Sequence, residues 1–557
     1  MSLLTMKPEC GRLLTPRLLR QRGLSAFFLA FLLLSCSSLA TQTGPATVYY
    51  ISPSGSNWSN GKSVNAPFKT FAHAFGKMSP GDELVLLDGI YSEAVGTGYI
   101  SYTDLSAGIG GSHSEQIPSG TDPAHVTYVH ALNAGKVTIV GHLFIGRSFQ
   151  KDSYIRIQGV TFQGGGSLYN TSHITIKDCG FHGPFSVGTN DHDQGNDYNL
   201  IEDVWIWASG ERVIAMNYRS RFNVWRRVLV RGDGCQADHC RGSGNPNVGI
   251  TVYDSSNVSL QNVMVLDRIL AKGDDPYADF AVAQHTPGAH LFGKNEWLGT
   301  LSLRAPDTGY YMEPDRDGTI DPTIRIVNAI AWDATELGFN LRRAGTNNFL
   351  ENITVRALGG DGVRVAPELT SGVLRNVISV DAGRYGINSH YSPSHVNVYN
   401  AKFDAYSQTA CATGCYSSNP LGGTSPSLKY LVRIEPGSFL KGRGYQGADI
   451  GANILYRYGI DGMHHGEANF NTLTTVPLWP WPNEDRIKRE MCEQTGVTRG
   501  FCQARSLTHY IWEYLGSPMP ADLYRPAARA TPKNEVSAKP PDAKPGNGLG
   551  EDLGKTQ

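Results

Sequence analysis

The chain carries little charge for its 557 residues and no surplus of either sign, with 49 Lys and Arg against 50 Asp and Glu. No global field therefore argues for nucleic acid or a membrane surface as partner. No CxxC is present, which disfavours zinc ligation by the cysteines. Without CxxCH, covalent c-type haem is excluded as well. The apolar run from Leu24 to Leu34 is too short for a comfortable transmembrane helix.

What the chain has in quantity is glycine, 63 residues, and 40% apolar residues set in a repeat. RIVNAIAWD, FLENITVRA, VLRNVISVD and VNVYNAKFD superpose so that Asn328, Asn352, Asn376 and Asn400 share a column, 24 residues apart. Gly338, Gly362 and Gly386 keep the same step. Short alternating runs at a fixed period of roughly 20–50 residues signal a solenoid, and β-rich units of this size a parallel β-helix. No single coil can bury its apolar face alone. Going backwards, Asn262, Arg227, Asp203 and Asp178 take the same place at steps of 66, 35, 24 and 25, so later coils carry inserted loops. Insertions collect over one face of a solenoid, often the working one. The column itself predicts stacked side-chain amides at a tight turn.

Lys7, Arg12, Arg17, Arg20 and Arg22 precede the apolar run, which gives residues 1–40 the layout of an export signal. Leu33-Leu34-Ser35-Cys36 is similar to a bacterial lipobox, with Cys36 as the lipidated first residue; cleavage after Ser38-Leu39-Ala40 competes with it. A lipid on Cys36 would tether an otherwise soluble protein to a membrane, in the bacterial periplasm or at the cell surface. Cys235 with Cys240, Cys411 with Cys415, and Cys492 with Cys502 form close pairs that read as disulfide staples of an oxidising compartment. Cys179 shares a core column with Val204 and Val228 and reads as an inert buried thiol.

Residues 46–136 read as a cap and first coils, with an amphipathic helix around Phe68 to Met78 between two strands. Coils follow over 137–410, broken between Leu270 and Ile320 by an irregular excursion of the kind that is usually functional. Residues 411–475 form a loop-rich extension, and 476–526 a helical module, second cap or docking module, whose Trp479 and Trp481 are expected to pack on the solenoid rather than stack on sugars. The tail, 527–557, has almost no aliphatics and is expected to be disordered. The SPSGS loop, APFKTFAHA, PGDELVLLDGIY and VTYVHALNAGKVTIVG resemble the opening of secreted right-handed parallel β-helix proteins of the pectate-lyase-like superfamily. The resemblance runs from Val48 to Ala401 and implies architecture more than activity.

Counting twelve and fourteen residues past the Asn column reaches the second strand of each coil, at Asn340 and Arg342, Arg364 and Ala366, and Asn388 and His390. Earlier coils give Asn190 and His192, then Ala215 and Asn217, and the GITVYD strand supplies Thr251 and Tyr253. Alternation predicts one outward polar stripe along a single sheet, suited to a polyanionic glycan. Lyases of the resembled superfamily remove the proton at carbon 5 of a uronic acid. That needs Ca²⁺ or a cationic side chain on the sugar carboxylate, and a Lys, Arg or His as base. The stripe offers Arg364, Arg342 and His192, with Asp193 beside the last, as the catalytic candidates for that chemistry. Asn190, Asn217, Asn340, Asn388, His390 and Tyr253 would bind the sugar chain.

Asn190-Asp191-His192-Asp193 resembles the Asp-Pro-His-Asp motif of β-helix mannuronan epimerases in its last two residues only. Asp315, Asp317, Gly318 and Asp321, spaced as DxDGxxD, could gather around Ca²⁺, though the other ligands of an EF-hand are missing. A non-catalytic glycan-binding or scaffolding protein would use the same stripe equally well.

Overall fold

One turn of the repeat occupies residues 175–188. Thr175–Lys177 is extended, Asp178 turns the chain at φ 52°, Gly180–His182 resumes, and Phe185–Gly188 forms the second strand. A left-handed residue bends a strand into two arms, and Asn or Asp tolerates that φ better than other non-glycine residues. Asp203, Arg227, Asn262, Asn328, Asn352, Asn376 and Asn400 repeat the turn, with φ from 50° to 57°. The Asn376 amide Nδ2 donates to Asn352 Oδ1 at 2.9 Å, one rung of the expected ladder.

The computed structural model describes residues 46–101, 116–146, 151–188, 196–208, 213–233, 247–269, 276–283, 294–313, 324–342, 348–369, 371–422 and 426–523. The arms of successive coils pair in parallel within a 22-stranded sheet, and the second strands within an 11-stranded one. This is an all-β solenoid. The core lies between the sheets, where Phe280, Tyr310 and Phe339 stack coil on coil with centroids 4.6 and 4.3 Å apart. Cys179 is free and buried in that core.

Three expectations change. The N-terminal helix is short, Phe71–Phe75, because Thr70 caps it and Gly76 ends it. The stretch from Leu270 to Ile320, expected to be irregular, holds regular structure. Pro276–Ala283 completes the coil of Asn262, and Asn295–Leu298, Leu301–Leu303 and Thr308–Glu313 make another. Its corner is Gly299 at φ 67°, 37 residues past Asn262 and 29 before Asn328, so the 66-residue gap is two coils. Glycine adopts that turn with no side chain to mark it.

The third change concerns residues 428–523. Leu431, Ile450, Leu478, Met491 and Trp512 pack on Trp205, Leu229, Met264, Leu301, Ile330 and Ile378, the outward side chains of the second arms. The segment runs along the flank of the coils. Trp479 and Trp481 are 4% and 3% exposed in this packing, and the Trp479 Nε1–H reaches the Ile454 carbonyl at 2.7 Å. Disulfides join Cys492 to Cys502 and Cys411 to Cys415; Cys36, Cys235 and Cys240 lie outside the described residues.

Candidate functional site

A coil presents three outer faces, one for each arm and one for the second strand. The second-arm face lies under the C-terminal segment. On the first-arm face the middle coils carry buried charges closed over by the same segment. Arg226, fully buried, donates to Glu202 Oε2 at 2.7 Å, to Gln261 Oε1 at 2.8 Å, and to the carbonyls of Ile460, Met463 and Phe470 at 2.8, 3.0 and 2.9 Å. Arg227 pairs with Asp203 at 2.5 Å and Asp461 at 2.9 Å. These charges are answered and enclosed, so they hold the fold together and are not free to meet a ligand.

On that face the outward register runs Ser186, Met216, Thr251, Ala281, Tyr311, Asn340, Arg364, Asn388 and Ser407. Neighbours in such a column stand about 4.8 Å apart. Arg364 is exposed and, among the described residues, pairs with no carboxylate. Asn340 and Asn388 flank it; Asn388 Nδ2 donates to the buried Asp361 at 3.0 Å, while Asn340 is 5% exposed. Arg342, exposed just past Phe339–Leu341, donates from Nη1 to Tyr311 Oη at 3.1 Å, which in turn donates to Glu313 Oε2 at 3.2 Å. The Tyr311 hydroxyl, then Glu313 and Glu368, push the Arg342 guanidinium above its ordinary pKa against a smaller opposing effect of burial. Paired guanidinium N–H groups of this kind match the geometry of a carboxylate.

No family model matches the chain. Pectate lyase L of Dickeya dadantii (strain 3937) is 26% identical over 251 residues, 42% of this chain and 52% of that protein. Pectate lyase L of Dickeya chrysanthemi is 27% identical over 296 residues, 50% of this chain and 64% of that protein. The chain thus spans less than two thirds of the length of these curated relatives. The crystal structure of pectate lyase Pel9A aligns with 72% of this chain and 95% of its own at 14% identity, with a TM-score of 0.38. The chain is a pectate-lyase-like parallel β-helix.

Within this pectate-lyase-like β-helix, Asn340, Arg364 and Asn388 stand in one outward column as expected, with Arg342 beside it. Tyr253 lies in the neighbouring outward column, its ring 5.5 Å from that of Tyr218, and His390 is half-buried just past Tyr385–Ser389. Asn217 is a correction. It sits between Val187 and Val252 in the core column, fully buried, and its Oδ1 accepts from Asn223 at 3.0 Å and Trp225 at 3.3 Å. The turn of that coil is one residue longer, so Met216, 13 residues past Asp203, takes the outward place.

In the coil of Asp178 the turn is shorter and Ser186 takes the outward place, on the strand that ends at Gly188. Asn190, His192, Asp193 and the Asp315, Asp317, Asp321 set all lie outside the described residues. Among the described residues no three His, Cys, Asp or Glu side chains gather as metal ligands. Tyr311 and Glu313 were missed because their strand was hidden by Gly299. The alternation of TGYYME was the available signal.

Proposed function

We propose that this β-helix acts on an acidic polysaccharide laid along the second-strand sheet, abstracting the proton at carbon 5 of a uronic acid as a lyase or epimerase. The observation that carries this is the exposed Arg364, which among the described residues pairs with no carboxylate, with the exposed Arg342 beside it, on which Glu313 and Glu368 act without a direct ion pair. A guanidinium on the sugar carboxylate stabilises the charge that develops when the neighbouring C–H is broken. Arg342, pushed toward its charged form, suits that role and not the role of base. The base is assigned to His192, with Asp193 fixing its tautomer. Asn340, Asn388, His390 and Tyr253 line the path of the sugar chain.

The two disulfides among the described residues and the signal-like residues 1–40 support an exported protein, anchored through Cys36 if that residue is lipidated. No helix among the described residues is long and apolar enough to cross a membrane.

The test is ultraviolet absorbance of unsaturated product, with and without Ca²⁺, on pectate, alginate and glycosaminoglycans. A rise abolished in Arg364→Ala and in His192→Ala is the expected result. No rise, together with no exchange of the carbon 5 proton in deuterated solvent, would sink both lyase and epimerase. One observation favours a second reading, a glycan-binding or scaffolding surface without catalysis. Around Arg364 the described residues form an even ladder, with no acid and base within hydrogen-bond reach of it. Binding with neither elimination nor exchange would establish that role.

A further inference from the structure

A cavity of about 570 Å³ lies off the polysaccharide face, between the first-arm face and the 461–467 turn of the C-terminal segment. Ligand clefts span roughly 300–1,000 Å³. Tyr128, Arg156 and Thr175 stand side by side on its floor in one outward column, with Tyr154 and His173 on one wall and Glu467 on the other. His464 holds that second wall to the sheet. Its Nδ1 lies 2.6 Å from the Tyr198 carbonyl and its Nε2 3.3 Å from Thr175 Oγ1.

The charges around the cavity select its ligand. Lys177 is engaged by Glu202 and Asp203, and Asp461 by Arg227. Burial lowers the pKa of both His173 and His464, so at neutral pH neither adds a cation. Arg156 is different. Among the described residues it pairs with no carboxylate, donates from Nη2 to Gln158 Oε1 at 2.6 Å, and leaves its buried Nε without a partner. The Tyr128 ring, 5.1 Å away, holds the guanidinium in place. Glu467 also forms no ion pair among the described residues; its Oε2 accepts the His464 backbone N–H at 2.6 Å.

The cavity therefore offers one unanswered cation and one unanswered carboxylate, with the Thr175 hydroxyl and the His173 imidazole between them. A phosphate dianion would gain Arg156 but meet Glu467, and a neutral sugar would leave Arg156 unanswered. A monoanion rich in hydroxyls satisfies both walls, with its carboxylate on Arg156 and hydroxyls donating to Glu467. We propose that this cavity is a second, non-catalytic binding site for a uronate residue of an acidic polysaccharide. A second contact on the same glycan raises its effective concentration at the other face. The choice of uronate rests on the acidic-polysaccharide reading above; the unanswered Arg156 does not.

The experiment is an NMR titration of the mature protein with digalacturonate, galactobiose and inorganic phosphate, in an Arg342→Ala/Arg364→Ala background that silences the other face. One digalacturonate site is expected to persist there, to bind galactobiose at least tenfold more weakly, and to lose at least tenfold in affinity on adding Arg156→Ala. Glu467→Gln, which keeps the cavity's shape, is expected to retain digalacturonate and to gain affinity for phosphate. Loss of all digalacturonate binding in the double variant would overturn the proposal. So would indifference to Arg156→Ala in a protein with parental thermal unfolding, or phosphate binding tighter than digalacturonate in the double variant. Absence of elimination and exchange on pectate, with Arg156-dependent binding intact, would remove the catalytic reading and leave this site standing.

Discussion

In the middle and later coils, two faces of one solenoid carry outward arginines and treat them in opposite ways. On the 22-stranded sheet Arg226, Arg227 and Arg231 are fully buried. Each is met by carboxylates or carbonyls, Arg231 by Asp233 at 2.7 Å and the Met491 carbonyl at 2.6 Å. On the 11-stranded sheet Arg364 is exposed and pairs with no carboxylate among the described residues, while the exposed Arg342 feels Glu313 and Glu368 without a direct ion pair. An enclosed guanidinium costs several kcal/mol unless it is paired, so a buried arginine held by carboxylates and carbonyls acts as a fastener. An exposed one without a counter-charge has its charge to offer. The C-terminal segment decides which is which, because it covers the arms and leaves the second strands alone.

The sharpest way to break this contrast is to remove a fastener. Arg226→Ala leaves Glu202 buried without one of its cations and strips three carbonyls of the C-terminal segment of their donor, so a loss of about 3–5 kcal/mol is expected in chemical unfolding. A loss below about 1 kcal/mol would mean that the segment is held by its apolar contacts alone. The same network predicts a pH dependence. Burial pushes the Glu202 carboxyl up, but Arg227, Lys177 and Arg226 outweigh it and bring it down to about 2. The unfolded chain holds a glutamate near 4.3, so the folded state favours the charged form. That stability is complete above about pH 4.5 and is lost as pH falls toward 2. An acid unfolding curve shifted to lower stability in Glu202→Gln above pH 5, and merging with the parent near pH 2, is the expected outcome.

A smaller effect tests how the coils turn. Asn376 is fully buried at φ 56°, its Nδ2 on Asn352 and its Oδ1 accepting the Tyr445 backbone N–H at 2.8 Å. Asn376→Ala loses both bonds and strains the left-handed backbone, about 2–4 kcal/mol together. Asn376→Gly keeps the backbone and should lose less, about 1–2 kcal/mol. Equal losses in thermal unfolding would show that the backbone strain is negligible.

That turn is also why so much of the fold was legible. An Asn or Asp at most corners leaves a mark in the sequence, and where the period stays at 24 the outward column of Asn340, Arg364 and Asn388 follows by counting. The mark vanished where Gly299 replaced the amide. It misled where a turn changed length, which put Asn217 in the core. The flank position of residues 428–523 rests on contacts between positions hundreds of residues apart, such as Arg226 with Phe470 and Trp205 with Glu490. No local pattern records them. Nor does VWRRVLV show which of its arginines will be enclosed.

The smallest expected effect on stability falls on the other side of the contrast. Arg364 is exposed and pairs with no carboxylate among the described residues, so Arg364→Ala should change unfolding stability by no more than about 0.5 kcal/mol. If the second-strand face holds a sugar carboxylate, the same substitution should lower kcat/KM on an acidic polysaccharide by about 10²-fold, as loss of one well-placed charged donor does. Arg364→Lys separates charge from shape. A lysine keeps the cation but gives up the two-pronged geometry, so partial recovery is expected if the carboxylate is gripped bidentately. Full recovery would show that only field strength matters at this position. An Arg364→Ala protein as active as the parent but clearly less stable would reverse the contrast, making the exposed arginine a fastener and returning the search for the site to the enclosed face.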